Sequence, residues 1–148
     1  MNKVEIIKAI RKQVEDTVKM HEHSLEEIRS SIANESKRTA GDKHETALAM
    51  LQAEQERVGR HLQQVREQLS VVNHLLSQPG VAADGKGSLV HTDKGVFFLG
   101  VAAGRVTVGN SPVFAISVAA PVARKLLTTP VGASFSLNGQ AYIVTHKQ

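Results

Sequence analysis

Asp42 and Glu45 are the two residues of this 148-residue chain whose type and spacing best suit chemistry. They lie three residues apart in the segment 40–47, AGDKHETA, which interrupts two long segments with heptad patterns. Two carboxylates on one short turn could act at a distant site if the turn is the end of a rigid arm. The same spacing is also typical of a helix cap, with Asp42 as the N-cap and Glu45 in the first turn. The pair alone leaves both interpretations open.

Apolar residues recur in steps of three and four on either side of this turn, which predicts two long amphipathic helices. The first seam comprises Val4, Ile7, Val14, Val18, Leu25, Ile28 and Ile32. The second comprises Leu48, Leu51, Val58, Leu62, Val65, Leu69, Val72 and Leu76. If the helices run antiparallel, facing residues have numbers that sum to 79 or 80, as for Val18 and Leu62. Residues 1–77 are therefore predicted to form an antiparallel coiled-coil hairpin with its tip at about residues 36–46, a fold-back near Ala40 and arms about 50 Å long.

Polar residues interrupt the seam at His21 and Gln55, where the predicted partners are apolar. A polar residue at a core position commonly fixes the register of a coiled coil. The seven histidines are scattered along the chain and predict no metal site of their own.

The second half of the chain has a different pattern. Residues 78–87, QPGVAADGKG, combine a proline with three glycines and are predicted to be a linker. Short alternating or β-branched runs follow at 88–92, 95–101, 105–108, 113–118, 133–137 and 142–145. A helix is predicted over 121–127, where Pro121 suits a first turn. Residues 88–148 are therefore predicted to be a small α+β domain with an antiparallel sheet and one short helix. They hold no nucleophile–base set and no glycine-rich phosphate loop.

Positive charge is concentrated in this second half. Residues 1–78 hold 12 Lys and Arg against 12 Asp and Glu, whereas residues 79–148 hold 6 against 2, which accounts for the net charge of +4. A basic domain suits an acidic protein surface or a nucleic acid, DNA included, although ordinary solubility explains a charge of this size equally well. The absence of cysteine excludes disulfides and thiolate metal sites, and no apolar run is long enough for a membrane span. We therefore expect a cytoplasmic protein with no membrane partner. We also expect no small-molecule substrate.

Two segments resemble motifs of the bacterial Gre-type transcript cleavage factors, a family of transcription elongation factors. Residues 41–47, GDKHETA, are similar to the family's G-D-x-x-E-N-A turn. Residues 116–127, ISVAAPVARKLL, are similar to its I-S-x-x-S-P-[LIV]-A-x-x-L-[LI] segment. The order of a long hairpin, acids at its tip and a small β-rich domain also resembles the family layout over nearly the whole chain.

The resemblance implies an FKBP-like C-terminal domain that lacks isomerase chemistry and binds RNA polymerase, while the coiled coil enters the secondary channel. Asp42 and Glu45 would be the catalytic and metal-binding residues, acting in trans: they help to hold an Mg²⁺ of the polymerase, so that backtracked RNA is cut. The nascent RNA 3′ end is then a second candidate partner. The chain needs no cofactor of its own, since the Mg²⁺ is shared with the polymerase, and it is not itself an enzyme. The residues implied for polymerase binding are Ser117, Pro121, Val122, Arg124 and Lys125.

The chain departs from the family pattern in both motifs. At the tip, Thr46 replaces the usual Asn, and Leu48 and Ala49 replace the acid and the Tyr that follow. In the second motif, Ala120 and Thr128 replace Ser and Gly. Whether such a factor stimulates cleavage or modulates the polymerase without cutting is therefore open. A coiled-coil scaffold protein without a catalytic role is the alternative from a different class. An isomerase is the weakest alternative, because four Phe and one Tyr are few for an aromatic substrate pocket.

Overall fold

A computed structural model describes residues 2–37 and 41–148, with Asp42 described by its backbone only. Two long helices, α1 (Lys3–Glu35) and α2 (Asp42–Ser77), come first. The strands that follow are β1 (Leu89–Thr92), β2 (Gly95–Leu99), β3 (Gly104–Val108), β4 (Ser111–Ile116), β5 (Ser134–Leu137) and β6 (Gln140–Lys147). A short helix, α3 (Pro121–Thr128), lies between β4 and β5. The predicted α+β class is confirmed at this level, and each predicted strand overlaps an observed one. None of the helices in these residues combines the length and the apolar character needed to cross a membrane.

The long helices follow from the heptad pattern. No proline interrupts either helix, and Gly59 is the only glycine inside them, so the backbone is free to stay helical. Seam residues of both helices are buried within the segment 15–67: Val18, Leu25, Val58 and Leu62. Among the described residues of this segment, His21 contacts His61 and Glu22 contacts Arg66. Glu35, the last residue of α1, contacts His44 in the first turn of α2, so the end of one helix meets the start of the other.

The chain divides by its internal contacts into two compact units. One comprises residues up to Val14 together with Gln68–Gln148, and the other comprises Glu15–Glu67. The first unit, called the sheet unit below, therefore contains the start of α1 and the end of α2 as well as every strand. The domain boundaries that we predicted at residues 77 and 88 follow sequence pattern rather than contacts, and they stay a prediction.

The sheet has the strand order β3-β4-β2-β1-β6-β5 and is mixed. Our prediction of an antiparallel sheet is wrong at one pair: β2 and β4 run parallel, with Val96 opposite Val113 and Leu99 opposite Ile116. The reason is the path of the chain after β2. Residues 100–103 carry it past the neighbouring position to β3, and β4 then returns from β3 into the gap beside β2. The four other pairs are antiparallel.

Both faces of the sheet are covered within the sheet unit. On one face α3 packs against the sheet, and the buried residues of this core are Val90, Phe97, Leu99, Ala123, Leu126 and Val144. On the other face, the end of α2 packs against Gly100, the residue that follows β2. A β-carbon added there would lie 3.2 Å from Leu75 Cδ1 and 3.7 Å from the ring of Phe98. From the start of α1, the side-chain amide of Gln13 donates a hydrogen bond to the Ala103 carbonyl.

Residues 78–87 form an ordered loop of the sheet unit. The Ala82 N–H donates to the Lys86 carbonyl at 2.9 Å, and the Lys86 N–H donates to the Asp84 carboxylate at 3.1 Å. The Gly87 N–H donates to the Leu99 carbonyl of β2 at 2.7 Å, and both Gly85 and Gly87 are buried. The segment therefore joins α2 to β1 through specific contacts with the sheet.

Candidate functional site

The first turn of α2 begins one residue earlier than the capping alternative places it. The Gly41 carbonyl accepts hydrogen bonds from the N–H groups of His44 at 3.0 Å and Glu45 at 3.3 Å. Gly41 therefore occupies the N-cap position, and Asp42 is the first helical residue. Since glycine has no side chain, it leaves the remaining N–H groups of this turn without a side-chain cap from that position. Asp42 and Glu45, three residues apart in one helical turn, lie on neighbouring positions of the helix surface.

A second feature of the tip joins the two helices directly. The Nδ1 atom of His44, in the first turn of α2, lies 3.3 Å from Oε1 of Glu35, the last residue of α1. The Glu35 and His44 side chains are only 12% and 20% exposed, respectively. Such shielding strengthens a polar contact relative to one in water.

The surface of the tip carries both signs of charge. Glu45, Lys37 and Lys43 are exposed, and so are Thr46 and Ala49, while Leu48 is half-buried. The predicted fold-back at Ala40 and the basic Arg38 lie outside the described residues, as does the side chain of Asp42. Of the two predicted catalytic residues, the structure thus places the Glu45 side chain at the surface and the Asp42 backbone at the start of the same helix.

Few side chains in the described part of the tip could bind a metal ion. Among residues 2–37 and 41–148, no group of three or more His, Asp or Glu is placed to bind one. Mg²⁺ takes six oxygen ligands and in proteins is commonly held by one or two carboxylates together with ligands from water or a substrate. Glu45, with Asp42 one turn before it, supplies the right type of oxygen but too few ligands. Water or a partner would have to supply the remaining ligands of an Mg²⁺ bound here.

The residues predicted for partner binding lie together at the start of α3. The Ser117 hydroxyl accepts a hydrogen bond from the Ala119 N–H at 3.1 Å, and this turn leads β4 into the helix. Pro121 occupies the first turn without a side-chain cap, because the N-cap residue is Ala120. Ala123 and Leu126 are fully buried against the sheet, which leaves the other side of α3 outward. The predicted residues Pro121, Arg124 and Lys125 are exposed, and Ser117 and Val122 are half-buried.

An aromatic row, Phe114, Phe97, Tyr142 and Phe135, crosses the same face of the sheet. The ring centroids of Phe97 and Phe114 are 5.5 Å apart, and Phe135 stacks on Tyr142 at 5.0 Å with the planes 12° apart. Phe97 meets Tyr142 edge to face at 6.4 Å. Phe97 is buried in the core between α3 and the sheet. The other three rings are half-buried and pack against the edge of this core. Four of the five Phe and Tyr residues of the chain thus lie next to the predicted partner surface.

The sheet unit also contains a groove of about 770 Å³ between the end of α2 and the 78–87 loop. It is lined by residues such as Val71, Leu75 and Val81, with His74, Asp84 and Lys86 among the polar ones. No residue predicted for the function lines it.

No protein-family model, no curated protein and no solved structure matches this chain.

Sequence reasoning missed the contact between Glu35 and His44, although a signal for it was present. Their residue numbers sum to 79, the value that relates facing residues of the two predicted seams. Glu35 lies three residues after the seam residue Ile32, and His44 four residues before Leu48, so both continue the seam to its end. A search confined to apolar positions passes over them because both are polar.

Proposed function

We propose that this chain is a Gre-like, RNA polymerase-binding elongation factor of the cytoplasm. In this proposal α1 and α2 form an antiparallel coiled-coil hairpin that enters the secondary channel of the polymerase, and its tip acts on the active centre. The sheet unit provides an FKBP-like domain that binds the polymerase from outside. The supporting sequence features are the two motifs at 41–47 and 116–127.

The observation that carries the proposal is the position of Asp42 and Glu45. Both belong to the first turn of α2, next to the end of α1, and Glu45 is exposed. Acids at the end of two long paired helices can reach a site that a globular domain cannot enter. Helix N-termini also favour negative side chains, so this placement is stable in the free protein.

The chemistry fits a shared metal site better than a site on this chain alone. In a two-metal phosphoryl reaction, metal ions stabilise the attacking and leaving oxygens. Asp42 and Glu45 would supply oxygen ligands that complete the coordination of a polymerase-bound Mg²⁺. Lys37 and Lys43 are exposed and close to these acids in the sequence, so they would contact the RNA phosphates. The chain then contributes ligands and position, while the polymerase remains the enzyme.

Docking through the α3 surface is supported by charge and exposure. Arg124 and Lys125 are exposed on α3, and its first turn has no acidic residue. Pro121 and Val122 add apolar surface, and Val122 packs against the same core as the aromatic row. Such a surface suits an acidic partner segment with an apolar anchor.

The proposal is tested with purified elongation complexes whose RNA has backtracked. We expect the full chain to bind these complexes and to accelerate RNA cleavage in the presence of Mg²⁺. Binding without acceleration would refute the role in cleavage and favour a modulator of the channel. Failure to bind the polymerase at all would refute the proposal and favour the coiled-coil scaffold protein.

A further inference from the structure

The contact between Glu35 and His44, called the tip clamp below, joins the two helix ends across residues 36–41. A different His–Glu contact of the segment 15–67 joins His23 and Glu27 at 3.1 Å within α1, with side chains 76% and 69% exposed. The tip clamp differs in that it connects two helices and is largely shielded from water.

The end of α1 is closed by its own hydrogen bonds. The Ser36 N–H and hydroxyl both donate to the Ile32 carbonyl at 2.9 Å, and the Lys37 N–H donates to the Asn34 carbonyl at 3.2 Å. These bonds lie within the end of α1 and do not reach α2. The first turn of α2 has glycine at its N-cap and gains no side-chain cap from it. A helix end of this kind frays readily unless a tertiary contact holds it.

Apolar packing weakens towards the tip. The seam residues Val18 and Leu62 are buried, whereas Ile32 and Leu48, the seam residues nearest the turn, are only half-buried. A shielded polar contact therefore matters more at this end than in the middle of the helices. His44 also lies between Asp42 and Glu45 in the sequence, so any force that fixes its backbone fixes theirs.

We propose that the tip clamp positions the tip acids: it holds the first turn of α2 in one orientation against the last turn of α1. Glu35 and His44 are then positioning residues and do not touch the reacting atoms. The expected effect of the tip clamp on the rate of RNA cleavage rests on the function proposed above. Its expected effect on the order of the first turn of α2 in the free protein does not depend on that function.

The free protein provides the first test. Amide hydrogen exchange is measured by NMR for residues 45–48 in the full chain, in His44→Ala and in His23→Ala. We expect His44→Ala to accelerate exchange in this turn by about tenfold, the effect of losing one shielded, charge-assisted contact. His23→Ala is the matched control because it removes the same side chain from an exposed His–Glu contact, and it should leave this turn unchanged. Equal exchange in His44→Ala and the parent would overturn the proposal.

Cleavage of backtracked RNA provides the second test. His44→Ala should lower the cleavage rate at saturating factor by about tenfold while the affinity for the polymerase stays within about twofold. His44→Gln, whose amide N–H can still donate to the Glu35 carboxylate, should restore most of the rate. A merely structural role would lower the melting temperature without this split between rate and affinity and without rescue by Gln. That outcome would overturn the positioning role.

The two tests separate the two proposals. If the parent chain does not stimulate cleavage, the proposed function fails, and the exchange measurement alone decides on the clamp. If the parent is active and His44→Ala cleaves like the parent, the clamp fails and the function stands.

Discussion

A β-carbon placed on Gly87 would lie only 2.5 Å from the carbonyl oxygen of Gly80. Gly87 also has a φ of +92°, in the left-handed region that side chains disfavour. Because the obstacle is backbone rather than the end of a flexible side chain, it cannot move away cheaply. The 78–87 loop can close on the sheet at this point only if residue 87 is glycine.

Gly87→Ala should therefore destabilise the sheet unit strongly. Gly104 is a matched control: its φ is +76° and a β-carbon there would meet nothing within 4 Å. Gly104→Ala should cost about 1–2 kcal/mol for backbone strain alone. Gly87→Ala should cost at least about 3 kcal/mol, because the collision adds to the strain. Urea unfolding measures both, and equal losses would show that residues 78–87 are not held as described.

Acid should weaken the pairing of β1 with β6. His91 lies opposite His146 in these strands with ring centroids 5.4 Å apart, and its Nε2 is buried without a hydrogen-bond partner among the described residues. Burial, and then the neighbouring His146, lower the pKa of the His91 imidazole. An unfolded histidine has a pKa of about 6.5. As the pH falls below that value, the unfolded chain takes up a proton that the folded protein resists, so the free energy of unfolding decreases until the lower folded-state pKa is passed.

Thermal unfolding of the parent, His91→Gln and His23→Gln over this pH range measures the effect. The drop in melting temperature between about pH 7.5 and about pH 5.5 should be smaller in His91→Gln than in the parent. His23 is exposed, so His23→Gln should keep the full drop. An identical drop in all three proteins would show that His91 does not contribute.

Charge reversal on α3 should weaken polymerase binding. Arg124→Glu combined with Lys125→Glu changes the exposed side of the helix and leaves the buried Ala123 and Leu126 intact. We expect an affinity loss of about tenfold or more with little change in stability. Lys94→Glu with Arg105→Glu changes the net charge equally at exposed positions outside α3 and should cost about twofold or less. Equal losses in the two double variants would mean that only net charge matters.

Periodicity predicted the long helices well, because apolar residues every three or four positions lie on one face of a helix and can be buried together. It did not predict which helix side chains are buried within the sheet unit. Ile6 and Ile10 are fully buried although neither lies on the predicted seam. They belong to the sheet unit, as does Leu75, which adjoins the seam residue Leu76 and lies against Gly100. Apolar residues beside a heptad seam, spaced four apart, are the signal for such a second contact.

The parallel pair of β2 and β4 lay beyond sequence reasoning for a different reason. Alternation locates strands but does not say which strand lies next to which, and Gly109-Asn110 between β3 and β4 is consistent with either order. The capping interpretation placed the N-cap of α2 at Asp42, whereas the structure has it at Gly41. Glycine and aspartate are both acceptable N-cap residues, and only the hydrogen bonds to the Gly41 carbonyl decide between them.

The role of Asp42 and Glu45 in RNA cleavage is tested most directly with the double variant Asp42→Asn, Glu45→Gln on backtracked complexes. The amides keep the size of both side chains but lose the charge that holds a hard cation, so stimulation of cleavage should fall to the level without factor. Polymerase affinity should stay within about twofold, and the stability loss should not exceed about 1 kcal/mol. Glu26→Gln with Glu56→Gln, two exposed helix acids away from the tip, should cleave like the parent. If this variant still stimulated cleavage as strongly as the parent, Asp42 and Glu45 would have no role in metal binding and would serve only the helix terminus.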